Sequence, residues 1–86
     1  MKLHSHAIAR MLERGATEEE VAATIREGEQ FPAKFARQGF RRNFPFKALW
    51  RGRRYHMKQV EMKQVEVFAT WEDDDWMVIS VIVKYF

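Results

Sequence analysis

The apolar and polar positions of this chain change period once, from the helical 3.6 to the extended 2.0. At 100° per residue Ala7, Ile8, Met11 and Leu12 gather on one side of a segment that Ser5 can cap and Gly15 can stop. That pattern predicts a first helix over about residues 5–14. A second is predicted over about residues 17–27, where Thr17 and Glu20 have the spacing of a capping box and Gly28 ends the run. Glu18, Glu19 and Glu20 favour its positive end, and Val21, Ala22 and Ile25 face inward. Residues 29–39 read as a connection through Pro32.

From Phe40 the alternation is two. Phe40, Phe44, Phe46, Ala48 and Trp50 share one face, and Arg41, Asn43, Lys47 and Leu49 share the other. Strands are predicted over about residues 40–50, 55–71 and 76–86, with turns at Arg51-Gly52-Arg53 and at Glu72–Asp75. Pro45 cannot donate to a ladder and assigns its strand to a sheet edge. In the last strand Met77, Ile79, Val81 and Val83 fall on one face, and Val78 and Ile82 on the other. Such a strand asks for cover on both sides, or else Ser80 and Lys84 mark a partly exposed face. The expectation is one α+β domain over residues 1–86: two N-terminal helices packed on one face of a small antiparallel sheet, in the order ααβββ.

One irregularity interrupts the alternation. Met57-Lys58-Gln59-Val60-Glu61 is followed at once by the identical Met62-Lys63-Gln64-Val65-Glu66. Five is odd, so in an unbroken strand Val60 and Val65 point to opposite faces. A bulge, a looped-out copy or a longer hairpin would each absorb the mismatch. A lengthened strand also offers an edge for exchange with a second copy.

At 86 residues, with 47% hydrophobic and 31% charged positions, the composition is that of a globular chain. No cysteine is present, which excludes disulfides and thiolate zinc sites and suits a reducing cytoplasm. No apolar run is long enough to cross a bilayer as a helix, so the expectation is a cytoplasmic protein that does not engage membranes. The net charge of +3 hides a sharper division. Residues 1–29 and 61–86 are acidic, at −2 and −4, whereas residues 30–60 hold nine cations and no acid. These are Lys34, Arg37, Arg41, Arg42, Lys47, Arg51, Arg53, Arg54 and Lys58. Such a block either meets a polyanion such as RNA or is a solvated face neutralised by acids folding back from the ends.

No phosphate loop, nucleophile elbow or spaced carboxylate set appears, and no cofactor is implied. His4 and His6 are too few to make a metal site. The constellation that could carry chemistry is His6, Arg10 and Arg14, spaced i, i+4, i+8 along one stripe of the first helix. A histidine shuttles protons near neutrality and an arginine fork binds phosphate, the two requirements of phosphodiester cleavage. The same arginines serve equally well for pairing with glutamate or covering apolar surface.

The run Ser5-His6-Ala7-x-x-Arg10-x-x-x-Arg14-Gly15-Ala16-Thr17-Glu18-x-Glu20-Val21, then Gly28-Glu29, resembles the start of domain-of-unknown-function family 4258. The ending Trp76-Met77-Val78-Ile79-Ser80-Val81-Ile82-Val83-Lys84-Tyr85-Phe86 resembles that family's closing strand. The family is similar to the RelE/ParE-like toxin superfamily, whose members pair helices with a curved antiparallel sheet. Many cleave ribosome-bound messenger RNA or poison gyrase, and a neighbouring antitoxin holds them inactive. The resemblance implies a toxin-like RNA-binding protein, with ribonuclease activity, RNA or the ribosome as target and an acidic antitoxin as partner. The alternative is a non-catalytic module that binds nucleic acid or protein, or a homodimer joined through a sheet edge or the exposed sheet face. His6, Arg10 and Arg14 match the family motif, and Lys84 and Tyr85 stand where related toxins place basic and aromatic groups. Phosphate binding falls to Arg37, Arg41, Arg42, Lys47, Arg51, Arg53, Arg54 and Lys58. The doubled Met-Lys-Gln-Val-Glu looks like an insertion relative to the single copy usual in that family.

Overall fold

A computed structural model describes the backbone of residues 1–51 and 57–86 and the side chains of residues 1–46 and 61–86. The expected turn at Gly52 and the side chains of Lys47, Arg51, Arg53, Arg54 and Lys58 lie outside the described residues. The chain is α+β, with helices α1 (Ser5–Arg14) and α2 (Glu18–Glu27) and five strands where three were expected. The strands are β1 (Lys2–Leu3), β2 (Glu29–Pro32), β3 (Gln38–Arg51), β4 (Met57–Glu72) and β5 (Asp75–Tyr85). They lie in the order β1-β5-β4-β3-β2. The sheet is mixed rather than purely antiparallel, because β1 runs parallel to β5. The two additional strands contain only two and four residues, too few to register as a period. Strand β2 pairs with Gln38–Arg41 alone, so β3 is itself the margin at Pro45, where the missing N–H costs no ladder bond.

Capping explains the helix limits. His4, rather than Ser5, caps α1, its Nδ1 accepting from the His6 N–H at 3.1 Å. Gly15 stops the helix at φ 80°, a left-handed conformation that costs a residue with a Cβ. In α2 the capping box is complete: the Glu20 N–H donates to Thr17 Oγ1 at 3.1 Å, and the Thr17 N–H donates to Glu20 Oε1 at 2.9 Å.

Both helices face one side of the sheet. Ala7 and Met11 of α1 and Val21 of α2 share a core with Phe40, Val65, Val67, Ala69, Val78 and Val81. The stripe on α1 is narrower than the sequence suggests, since Ile8 is 44% and Leu12 82% exposed. On α2 the buried positions are Val21, Ala23 and Thr24, with Ala22 and Ile25 only half-buried. The Thr24 hydroxyl is satisfied by the Glu20 carbonyl at 2.7 Å.

A bulge reassigns the faces of β5. Phe68 pairs with Ser80 and Ala69 with Val78, so Ile79 is an extra residue. Val78, Val81 and Val83 therefore join the helix-covered face, not Ile79 with Val81 and Val83 as simple alternation predicts. Met77, Ser80, Ile82 and Lys84 lie on the open face.

The two pentapeptides form one continuous stretch of β4, and the register breaks at their junction. Pro45 pairs with Met62 and Ala48 with Val60, leaving Phe46 and Lys47 opposite Glu61. At the same place the N–H groups of Glu61 and Met62 both donate to the Phe86 carbonyl, at 3.0 and 2.7 Å. The extra residue of this bulge lies on β3, opposite the junction, and both copies stay within β4.

The second copy also supplies the one buried ammonium among the described residues. Lys63, 7% exposed, donates to Glu20 Oε1 at 2.7 Å and to the Gly15 carbonyl. One side chain on β4 thus ties the carbonyl of the residue that stops α1 to the cap of α2. Burial pushes the Glu20 carboxyl up, but the bonds from Lys63 and Thr17 outweigh it and hold it below its ordinary value.

Candidate nucleic-acid interface

Arg14 is committed to structure. Its guanidinium donates to the Val81 carbonyl at 2.6 Å, and its own carbonyl accepts from the Tyr85 hydroxyl at 3.2 Å. Phe86 and Met62 exchange both hydrogen bonds, so by antiparallel alternation the groups of Val81, Val83 and Tyr85 point away from β4. Strand β1 covers β5 only at Met77 and Val78, so Arg14 occupies a carbonyl on an otherwise open edge. Arg10 is paired with Glu13 at 2.7 Å, and the His6 side chain is exposed on the first turn of α1.

Lys84 is on the other side of the sheet, 3.1 Å from Glu66. Adjacent strand residues point to opposite faces, so the sheet itself separates Lys84 from Tyr85. The structure brings Arg14 and Tyr85 together and does not gather them with Lys84.

The open face has its own pattern. Arg41 pairs in register with Glu29 on β2 and Glu66 on β4, giving a row of alternating charge. Glu66, 8% exposed at its side chain, takes Lys84 and, at 3.5 Å, Arg41. Arg41 Nε is buried without a hydrogen bond, while its guanidinium lies 4.5 Å over the Phe31 ring. Arg42 points to the helix-covered face, where Glu27 meets it at 3.2 Å and Phe44 lies 4.8 Å below. Acids do fold back on Arg41 and Arg42.

They do not reach the turn between β2 and β3. Among the described residues neither Lys34 nor Arg37 has a carboxylate within 4 Å. Between them Phe35 is 83% exposed, with the Arg37 guanidinium 5.7 Å from its ring centre. Phe35 and Ala36 take φ 62° and 58°, the left-handed pair of a type I′ turn, which non-glycine residues adopt at a cost. Beside the turn a hollow of about 410 Å³ opens on the uncovered face, lined by Phe31, Lys34, Phe35, Arg37, Phe68 and Ser80 among others.

Lys34 stands in the charge block of the sequence, but no periodicity there singles out Phe31, Phe35 or Phe68. The available signal was the run Lys34-Phe35-Ala36-Arg37, an aromatic side chain set between two cations in a connecting segment. Among the described residues no group of three or more His, Asp or Glu could hold a metal ion, and no helix is long and apolar enough to cross a membrane. No family model, curated protein or solved structure matches the chain.

Proposed function

We propose that this protein binds single-stranded RNA through the margin of the sheet formed by β2 and β3, as a toxin-like RNA-binding protein rather than a nuclease. The observation that carries the reading is the pair Lys34 and Arg37, cations without carboxylate partners among the described residues, flanking an exposed phenylalanine. All the fold gains from two cations without carboxylates and an exposed ring at a strained turn is the exposed cation–π contact of Arg37 with Phe35, worth about 0.5–1 kcal/mol. Phosphates and bases use all three. Binding is preferred to cleavage because Arg14 is held by the Val81 carbonyl, and Lys84 and Tyr85 lie on opposite faces.

The test is fluorescence anisotropy with a labelled 12-nucleotide oligoribonucleotide across a salt series. Log affinity should fall steeply with log salt, and Lys34→Ala with Arg37→Ala should make the slope shallower by about 1.4. Affinity flat in salt removes phosphate contact as the basis. Gel analysis of the same RNA should show it intact with the wild type. Cleavage by the wild type that is lost in His6→Ala would replace binding with the nuclease reading.

A further inference from the structure

We infer that the hollow beside the β2–β3 turn is a seat for one unpaired nucleobase; this rests on the RNA-binding reading above. Its volume of about 410 Å³ is within the range of small-molecule sites, roughly 300–1,000 Å³. The inner wall is aromatic and fixed. Phe31 and Phe68 meet edge to face at 5.9 Å and 85°. Gly39 lets the Phe31 ring lie against β3, since a Cβ there would stand 2.3 Å from the ring. Gln38 Nε2 donates to the Phe31 carbonyl at 2.9 Å, and Arg41 covers the ring from another side. A ring held on several sides is an ordered apolar wall that adds no further ordering cost on binding.

The exposed Phe35 also lines the hollow, and the turn fixes its backbone. The Arg37 N–H donates to the Lys34 carbonyl at 3.3 Å and the Ala33 N–H to the Arg37 carbonyl at 3.1 Å. Strained backbone at an exposed aromatic residue is the kind of outlier from which function is argued. Ser80 lines the hollow with a hydroxyl that can donate to or accept from a base edge. Lys34 and Arg37 also line it, and they would meet the phosphates flanking a seated base. An apolar side chain of a protein partner would fill the hollow equally well but would leave both cations unanswered. A nucleotide supplies both a planar base for the hollow and an adjoining phosphate for the cations.

The experiment is anisotropy with labelled oligouridylate, its deoxy counterpart and a matched strand of abasic sites. Phe35→Ala, a change at an exposed position, should leave the melting temperature unchanged. It should weaken binding to the base-containing strands about tenfold, without changing the salt slope. The abasic strand should bind wild type and variant alike. The deoxy strand should show the same loss, because stacking needs no 2′-hydroxyl. If Phe35→Ala binds as tightly as wild type while Lys34→Ala with Arg37→Ala is weakened, RNA binding stands and the seat is overturned. If the wild type binds none of the strands, both fall. If an acidic phenylalanine-containing peptide displaces the oligonucleotide and binds more tightly in a Phe35-dependent way, the hollow is a protein-docking site.

Discussion

Replacing Lys63 with methionine isolates the tie between the two helices and the sheet. The change keeps a long unbranched side chain in a site only 7% exposed and removes two charge-assisted bonds, to Glu20 and to the Gly15 carbonyl. Breaking a buried ion pair by removing one partner costs about 3–5 kcal/mol. Here the loss should be about 2–4 kcal/mol, because Glu20 keeps the Thr17 N–H and 20% of its side-chain surface in water. A domain of this size is stable by roughly 4–13 kcal/mol, so the variant should lose about 10–30 °C in melting temperature. Urea unfolding followed by tryptophan fluorescence and far-ultraviolet circular dichroism measures it. Glu20→Gln in both backgrounds completes the cycle, with a coupling of about 1–3 kcal/mol expected. The sign with pH is also fixed. Glu20 lies below its ordinary value of 4.5, so its contribution is complete above that pH and fades as pH falls through the lower folded value. The gap between wild type and Lys63→Met should narrow in the same window. A variant within about 0.5 kcal/mol of wild type, or Glu20→Gln costing the same with and without Lys63, refutes the account.

Three further outcomes follow from the packing. Gly39→Ala would put a Cβ into the Phe31 ring, and should cost about 1–3 kcal/mol by thermal unfolding while weakening oligonucleotide binding through the displaced ring. Arg14→Ala should cost about 1–2 kcal/mol and leave the Val81 carbonyl open on the sheet edge; analytical ultracentrifugation should then show concentration-dependent self-association absent from wild type. A chain lacking one pentapeptide copy should keep its core, because Lys63 and Val65 have counterparts at the same spacing in the remaining copy; its urea midpoint should differ from wild type by less than about 1 kcal/mol equivalent.

Local chemistry was the most legible part of the sequence. Thr17 and Glu20 announced α2, and Gly15 and Gly28 announced where helices stop, because capping acts within a few residues. What alternation could not supply was register across strands. The extra residue at Ile79 is invisible in the pattern, since Val78, Ile79 and Val81 are equally apolar, yet it decides which of them the helices cover. Ile8 and Leu12 fit a buried stripe by angle alone, and the width of cover over α1 is a tertiary property. The site residues divide similarly. Basic charge was countable, but which cations acids neutralise depends on Glu27 and Glu66, distant in sequence from Arg42 and Arg41. The aromatic hollow forms only when β2 folds over Gly39, and that contact left no period to read.

The junction between the two pentapeptides makes the hairpin an extensible part. A sheet ordinarily carries a parity: adding an odd number of residues turns every later side chain over, which acts as a check against small insertions. Here β3 carries one extra residue opposite Glu61, so the pairing of Met57–Val60 is set apart from that of Met62–Ala69, and Phe40, Val65 and Val67 hold their places under the helices. Growth on the far side of that bulge is therefore uncoupled from folding of the core. The reach of the arm can change by single duplication events, with the helix-covered half of the domain left as it was.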